Sequence, residues 1–307
     1  MISRLLADYP DSDGRLPVMT LGMVLATCEG KAIRGGREYQ RLLISESLYS
    51  PLLEVIKEGV DTGVFTVQLH GMEHYWPPAL MAASQVNESV RGWLENAPQS
   101  NTEELPSHLQ SRWVDASVLP THALNVVEIR QAIQEEASAF QAIFGCPARV
   151  VVPPTFVWND VVEKAWAEAG VEMIVTPGRR YETRDATGKL AGAGSTIYNG
   201  QVGSNGAIYL VRNVYFEPEL GHTAEQALDA LETKTRLGRP TLLETHRSNF
   251  LGSEDRQRIA IDELEKLLQL ALGMYHDLAF LSTEKLARVL ITRDPGWVDQ
   301  RLIRRIH

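Results

Sequence analysis

Short apolar runs alternate with longer amphipathic segments along most of this chain. The short runs are rich in β-branched residues and have the length of strands, whereas the longer segments repeat their apolar residues with the period of a helix. Strands that alternate with helices pair in parallel, because each helix returns the chain to the same end of the sheet. The alternation therefore predicts an α/β protein, either a closed (β/α) barrel or an open doubly wound sheet.

Seven candidate strands and five candidate helices make up this pattern. The strands cover residues 18–26, 64–69, 149–152, 172–175, 208–214, 241–245 and 278–281. The helices cover residues 48–58, 126–144, 160–169, 224–237 and 255–272. A complete (β/α) barrel of this kind has eight strands. We therefore predict a distorted (β/α) barrel with parallel strands, of which seven are evident and the first is missing.

Length and composition fit one large domain. The chain has 307 residues, of which 44% are hydrophobic and 22% charged, enough to bury a sizeable core. We predict a single domain over residues 1–307, with loop insertions around residues 77–125 and 178–206. Both insertions follow strands, so we expect them on the active-site face, where long loops commonly bind substrate. Ordinary insertions are the alternative.

The charge balance argues against one large class of partner. The formal net charge is -9 and no basic run is sustained, so nucleic acid is not an expected partner. No apolar stretch has the length of a membrane span. The two cysteines, Cys28 and Cys146, form neither a metal-binding spacing nor a disulfide framework, which fits a reducing compartment. We predict a cytoplasmic protein that does not bind membranes.

Two histidines directly follow the strand at residues 64–69, in the run His70-Gly71-Met72-Glu73-His74. The carboxyl ends of parallel strands are where α/β proteins build their chemistry. Two imidazoles four positions apart can bind one metal ion, with Zn²⁺ the predicted ion, if the segment turns after His70. For this motif alone, the alternative is a pair of half-buried histidines bonded to backbone groups.

Two later segments also place special residues at the end of a strand. Pro153 and Pro154 follow the strand at residues 149–152, and Asn159 or Asp160 can cap the helix that comes next. His246 follows the strand at residues 241–245, where a histidine can donate a proton to a leaving group. Each segment also has a purely structural explanation. The two prolines can form a rigid turn before a helix, and His246 can be a core histidine whose ring is hydrogen-bonded.

Together the three segments resemble the motifs of the polysaccharide deacetylase family, the NodB-homology or carbohydrate esterase family four type. The family's His-Ser/Thr-x-x-His motif is similar to the run from His70 to His74, with Gly71 in place of Ser/Thr. Its Arg-Pro-Pro-Tyr-Gly-x-x-Asn motif is similar to residues 152–159, and its strand ending Leu-x-His to residues 243–246. The chain resembles an outlying, N-terminally truncated member of that (β/α)-barrel superfamily.

The resemblance implies a metal-dependent hydrolase that cleaves the amide bond of an acylated amino sugar or related carbohydrate. It places a divalent metal, predicted to be Zn²⁺, on His70 and His74, and it makes His246 the general acid in the same cleft. The family's first motif, an acidic pair at the end of the first strand, has no counterpart here. Glu73 is our candidate for the missing catalytic carboxylate. Glu29 and Glu217 are further acids on the same rim, and each of these three glutamates is also explained as a solvated rim residue.

The remaining predicted site residues are expected to contact the carbohydrate. They are Pro154, Thr155, Trp158, Trp76, Arg247 and Asn249. Aromatic faces suit sugar rings, although aromatic residues near a strand end also pack the core. Arg247 and Asn249 could instead fix their own loop. The alternative function is a catalytically degenerate barrel that binds a carbohydrate or a protein partner, and the chain could also form a homo-oligomer.

Overall fold

The computed structural model describes residues 2–36, 38–98, 100–192, 194, 196–251 and 253–300. In chain order the strands are β1 (Met19–Met23), β2 (Ala26–Cys28), β3 (Arg41–Leu43), β4 (Phe65–Leu69), β5 (Val114–Asp115), β6 (His122–Ala123), β7 (Val150–Val151), β8 (Met173–Thr176), β9 (Thr183–Arg184), β10 (Leu190–Ala191), β11 (Ile208–Val211), β12 (Val214–Tyr215) and β13 (Leu243–Glu244). The α-helices are α1 (Ile2–Ala7), α2 (Gly30–Gly36), α3 (Ser50–Asp61), α4 (Pro77–Val86), α5 (Glu88–Asn96), α6 (Val126–Phe144), α7 (Asp160–Glu168), α8 (Ala224–Arg236), α9 (Glu254–Met274) and α10 (Thr283–Thr292).

Five of these strands form a parallel central sheet, in the order β1, β4, β7, β8, β11. Leu69 of β4 lies opposite Val151 of β7, and Val150 of β7 lies opposite Met173 of β8. Every residue of β7 and β8 is buried, because helices cover both faces of a parallel sheet. The predicted α/β class is thus confirmed. Within the described residues the sheet ends at β1 and β11 and does not close into a barrel.

Three of the predicted strands differ from the structure. The run at residues 18–26 is broken, because β2 leaves the central sheet and pairs antiparallel with β3. The run at residues 208–214 divides between β11 in the central sheet and β12, which pairs in parallel with β13. Residues 278–281 form no strand: the Phe280 N–H donates to the Asp11 carboxylate at 3.1 Å, so it is not available to a neighbouring strand.

Capping residues explain where the predicted helices begin and end. The Asn125 side chain accepts the Val127 N–H at the start of α6, and Gly145 ends that helix with a left-handed φ of 72°. The predicted helix over residues 126–144 is therefore confirmed at both ends. Of the two predicted caps of α7, Asn159 is the one that accepts the N–H groups of Val161 and Val162, and Asp160 begins the helix.

The first insertion contains two packed helices instead of an irregular loop. Pro77 and Pro78 occupy the first positions of α4, where proline is tolerated because no N–H is needed there. Asn87 then caps α5 through its side chain. Leu80 of α4 and Trp93 of α5 lie in one buried hydrophobic cluster. The prolines that indicate a break in the chain therefore mark the start of a helix.

The chain divides into two compact units. The first unit contains residues 1–20, 59–66 and 211–285, and the second contains residues 21–58, 67–210 and 286–307. His70 and His74 belong to the second unit, and His246 belongs to the first. The expectation that the three histidines share one cleft stays a prediction, as does the single domain over residues 1–307.

Candidate functional site

The predicted metal ligands His70 and His74 lie side by side in the second unit. Their ring centroids are 4.9 Å apart, with an angle of 73° between the ring planes. His70 Nδ1 lies 2.7 Å from the carbonyl oxygen of Val152. Because a carbonyl only accepts hydrogen bonds, Nδ1 carries a hydrogen in this contact. The motif thus brings two half-buried imidazoles together directly after β4.

Gly71 explains how the chain turns between the two histidines. Its φ is 95°, in the left-handed region that favours glycine. A Cβ at this position would lie 3.2 Å from Pro154 Cγ and 3.3 Å from Arg112 Cδ. A serine or threonine would therefore strain the backbone and press on both neighbours. The departure from the deacetylase motif at this position has a local structural cause.

Glu73, the predicted catalytic carboxylate, is fully buried in an ion cluster. Its Oε2 accepts a hydrogen bond from Arg112 Nη1 at 2.7 Å, and its Oε1 accepts from Arg41 Nε at 2.5 Å and from Tyr39 at 3.1 Å. Arg112 also pairs with Glu136 at 3.3 Å. The alternative of a solvated rim position for Glu73 is wrong, because the side chain is buried. Two guanidinium groups compensate the cost of that burial. A catalytic role for Glu73 stays a prediction.

The histidine pair supplies only part of a zinc site. Catalytic zinc sites typically have three protein ligands and one open position. Within the described residues, no group of three or more His, Cys, Asp or Glu side chains is placed to hold a metal ion. His70 and His74 could therefore contribute two ligands, and the predicted divalent metal stays a prediction.

The turn after β7 is strained. Thr155 and Phe156 have φ values of 51° and 58°, although neither is glycine. Such a conformation costs about 1–3 kcal/mol per residue and is most often found at functional sites. The Thr155 hydroxyl lies 2.9 Å from the Ser111 hydroxyl, which ties the turn to the first insertion. Pro154 is buried at the start of this turn.

The two tryptophans that were expected to stack on sugar rings differ in exposure. Trp158 is completely buried, and its indole N–H donates to Glu163 at 3.3 Å, so it packs in the core. Trp76 is half-buried, and the guanidinium carbon of Arg112 lies 5.8 Å from its ring centroid. Substrate contact by either residue stays a prediction, and Trp76 has the more accessible ring.

A second cluster of chemical groups lies in the first unit, around His246. β12 and β13 pair in parallel, with Tyr215 opposite Glu244, so the residues that follow the two strands come together. His246 Nδ1 lies 2.7 Å from Glu217 Oε1, and His246 Nε2 lies 4.0 Å from Glu244 Oε1. The His246 side chain is 62% exposed, whereas both glutamates are buried. An accessible imidazole is thus hydrogen-bonded to one enclosed carboxylate and lies near a second.

The two carboxylates have different surroundings. Glu217 Oε2 accepts hydrogen bonds from the Asn249 amide and, at 3.4 Å, from the backbone N–H of His246. Glu244 pairs with Arg212 at 2.8 Å. Burial nevertheless raises the pKa of Glu244, since it outweighs the opposing charge of Arg212. Two acids in unlike environments are the usual basis for separate acid and base roles.

The Asn249 side chain is hydrogen-bonded to other groups of the protein. It is 1% exposed, its Oδ1 accepts the Glu219 N–H at 3.0 Å, and its Nδ2 also contacts Thr245 Oγ1 and the His246 carbonyl. Its observed contacts fix Glu217 and the loop after β13. Arg247, next to His246, is exposed. Substrate contact by Asn249 or Arg247 stays a prediction.

The fold and these clusters define the class of protein. It is an α/β protein with a parallel sheet that carries imidazole and carboxylate groups at the ends of parallel strands. Residues 44–237, more than half of the chain, match the family model described as Glycosyl hydrolase family 57. The chain belongs to glycosyl hydrolase family 57. The resemblance to polysaccharide deacetylases is thereby confirmed only as far as a carbohydrate-active (β/α) fold. Within the described residues, no helix has both the length and the apolar character needed to cross a membrane.

One solved structure shows a weak similarity. It is described as a de-N-acetylase from Aggregatibacter actinomycetemcomitans, with 12% sequence identity and a TM-score of 0.26. The match covers 52% of this chain and 47% of that chain, so it spans about half of the solved protein. No curated protein matches the chain significantly.

Proposed function

We propose that this protein is a carbohydrate hydrolase that cleaves a glycosidic bond with the acid and base groups around His246. The observation that carries the proposal is the accessible imidazole that bonds buried Glu217 at 2.7 Å and lies 4.0 Å from a second buried carboxylate, Glu244. Membership in a glycosyl hydrolase family supports the substrate class.

Glycoside hydrolysis uses one protonated acid and one ionised carboxylate. Glu244, whose pKa is raised by burial, is suited to protonate the leaving oxygen. Glu217, held by the Asn249 amide, is suited to take a proton from the attacking water. Exchange with solvent protons then restores Glu217 and Glu244, while the His246 Nδ1–H holds the Glu217 carboxylate in place. The scheme consumes one water for each bond cleaved and leaves every protein group in its starting state.

A second candidate is metal-dependent hydrolysis of an N-acyl group, and one observation in the second unit favours it. Histidines that ligate metals commonly donate their other ring N–H to a carbonyl or carboxylate, as His70 does to Val152 at 2.7 Å. His70 and His74 would hold a divalent metal, predicted to be Zn²⁺, which supplies a Lewis acid and an activated water when bound.

Paired assays separate the two reactions. Purified protein is incubated with a panel of aryl glycosides and, separately, with N-acetylated amino-sugar oligomers, each with and without EDTA. We expect release of the aryl alcohol from a glycoside, unaffected by EDTA and lost in Glu217→Gln. The matched control is Glu219→Gln, since Glu219 lies in the same loop and its side chain contacts Arg256, at 3.7 Å.

The opposite results are equally clear. Release of acetate that EDTA abolishes would replace glycoside cleavage with the deacylase proposal. Carbohydrate binding without turnover of either substrate class would favour a catalytically degenerate barrel. Equal glycosidase activity in wild type and Glu217→Gln would remove the His246 cluster from the mechanism.

A further inference from the structure

Arg184, in the second unit, is a buried guanidinium with no carboxylate partner among the described residues. It is 5% exposed, and none of its contacts is an ion pair. Arg112, which is equally enclosed, pairs with both Glu73 and Glu136. A buried charge is strongly unfavourable unless it is paired, so an unpaired one calls for an explanation.

Neutral groups hold the Arg184 side chain in place. Its Nε donates to Ser111 Oγ at 2.8 Å, and its Nη1 donates to the Gly188 carbonyl at 2.9 Å. A guanidinium has five N–H donors, so three remain, including both on Nη2. Nη2 has no partner among the described residues and is not one of the fully enclosed polar atoms. The adjacent Asp185 carboxylate instead accepts the N–H of Thr187 at 2.8 Å.

The surroundings of Arg184 are rich in hydroxyl groups, and the described residues supply no acid that compensates its charge. Burial alone lowers the pKa of Arg184, without an acid to oppose it. Burial also lowers the pKa of His108, and the charge of Arg184 adds to that effect. Ser111, which accepts from Arg184, also contacts the hydroxyl of the strained Thr155 at 2.9 Å. Arg184 is therefore connected through Ser111 to the turn that follows β7. That turn comes shortly after Val152, whose carbonyl oxygen bonds His70.

We propose that Arg184 anchors a binding site for an anionic group, a carboxylate or a phosphate, carried by the carbohydrate. Its remaining Nη1 and Nη2 donors match the two oxygens that such a group presents side by side. The bound anion supplies the counter-charge that the described residues lack. The anion site rests on Arg184 itself, and only the statement that a sugar carries the anion rests on the proposed function.

Binding measurements test this without any turnover. Tryptophan fluorescence and Tm of the full chain are followed during titration with glucuronate, glucose 6-phosphate and glucose, and with free phosphate and acetate, at constant ionic strength. We expect the acidic sugars to bind at least about 10-fold more tightly than glucose, the value of one charge-assisted hydrogen bond. Arg184→Met should remove this preference, and Arg184→Lys should weaken it, because lysine keeps the charge and loses the planar fork.

Arg180→Met is the matched control, since Arg180 lies in the same insertion and is paired with Asp160 and Glu182. It should retain the preference for acidic sugars, and an equal loss in Arg180→Met would overturn the role of Arg184. An Arg184-dependent response to free phosphate or acetate, but to no sugar, would support the anion site and overturn its carbohydrate part. If Arg184→Met does not fold, the wild-type titrations decide: identical responses to acidic sugars, free anions and glucose overturn the site.

Discussion

His246 donates through Nδ1 to Glu217 at 2.7 Å while most of its ring stays exposed. A carboxylate in this position fixes the tautomer and the orientation of the imidazole. The other ring nitrogen, Nε2, lies 4.0 Å from Glu244 Oε1 and is available to exchange a proton with a substrate. The pair has the geometry of an oriented acid–base group in the first unit.

The first prediction concerns this pair. Glu217→Gln should lower kcat of the hydrolysis by about 10²- to 10⁴-fold, the usual contribution of general acid–base catalysis. The physical reason is that glutamine accepts no proton and no longer stabilises an imidazolium. Steady-state kinetics with the best substrate measure the change. KM should stay close to the wild-type value, and a large rise in KM at unchanged kcat would indicate substrate binding instead.

The second prediction concerns Asn249, whose amide donates to Glu217. Asn249→Ala removes a donor from that carboxylate, so the pH profile of kcat/KM should move and kcat should fall. Asn213→Ala is a suitable control, because Asn213 also bridges two segments, donating to the Pro240 carbonyl at 2.9 Å and accepting the Leu242 N–H at 3.1 Å. Asn213 contacts no carboxylate through these bonds.

The control should lower Tm and leave the pH profile in place. Nitrogen-15 chemical shifts of the His246 ring give a second measurement, since loss of the fixed Glu217 should change the tautomer ratio of His246. An unchanged ratio and an unchanged pH profile in Asn249→Ala would show that this residue only stabilises the loop.

The sequence predicts the individual strands and helices better than it predicts which side chains from different elements come into contact. The strand before His70 and the helix over residues 126–144 are evident because period and caps agree. Glu217 and His246 are 29 positions apart, and only the parallel pairing of β12 with β13 brings them together. Glu244 can be recognised in the sequence as an acid in the strand that ends beside His246. The expectation of a buried apolar strand makes this acid easy to overlook.

Burial is the other property that the sequence pattern predicts poorly. Trp158 stands beside a proline turn, where an aromatic residue is equally compatible with a sugar platform or with the core. Its complete burial follows from tertiary packing and from the buried Glu163 that accepts its N–H. Glu73 similarly has the sequence context of a catalytic acid, but Arg112 and Arg41 come from distant segments and enclose it.

The third prediction concerns the stability of the buried ion cluster. Arg112→Met should lower the free energy of unfolding by about 3–5 kcal/mol, because it leaves Glu73 and Glu136 buried without this partner. Arg130→Met is the control, since the Arg130–Glu168 pair is about half exposed and such pairs contribute about 0–1 kcal/mol. Urea denaturation measures both. Equal effects of the two substitutions would contradict the importance of the cluster.

The fourth prediction concerns the pH dependence of stability through Asp11. Burial acts to raise the pKa of this carboxyl, but hydrogen bonds from the side chain and backbone of Arg15 and from the Phe280 N–H outweigh burial, and the pKa is lowered. A lowered pKa means that the folded state favours the ionised carboxylate. The resulting stability is present above the pKa of the unfolded chain and is lost as pH falls through the folded value.

Urea denaturation of wild type and Asp11→Asn between about pH 3 and pH 7 tests this, since the unfolded carboxyl titrates near about pH 4. The wild type should be more stable by a constant amount at pH 6 to 7, and the difference should shrink below about pH 4. A difference that is independent of pH would assign the effect of Asp11 to packing and not to its charge.

The fifth prediction concerns the metal. If His70 and His74 hold a divalent ion, wild-type protein purified without chelator should contain stoichiometric metal, expected to be zinc, and His70→Ala should contain none. His74→Ala should lose it as well, because two imidazoles are the only ligands that the motif provides.

His246→Ala should keep the metal and lose activity, since a group that transfers protons acts on the substrate and not on the ion. His122→Ala is the control, because His122 is exposed on β6. Elemental analysis of folded proteins decides the question: metal in His70→Ala would show that the ion lies elsewhere, and loss of metal in His246→Ala would make His246 a ligand.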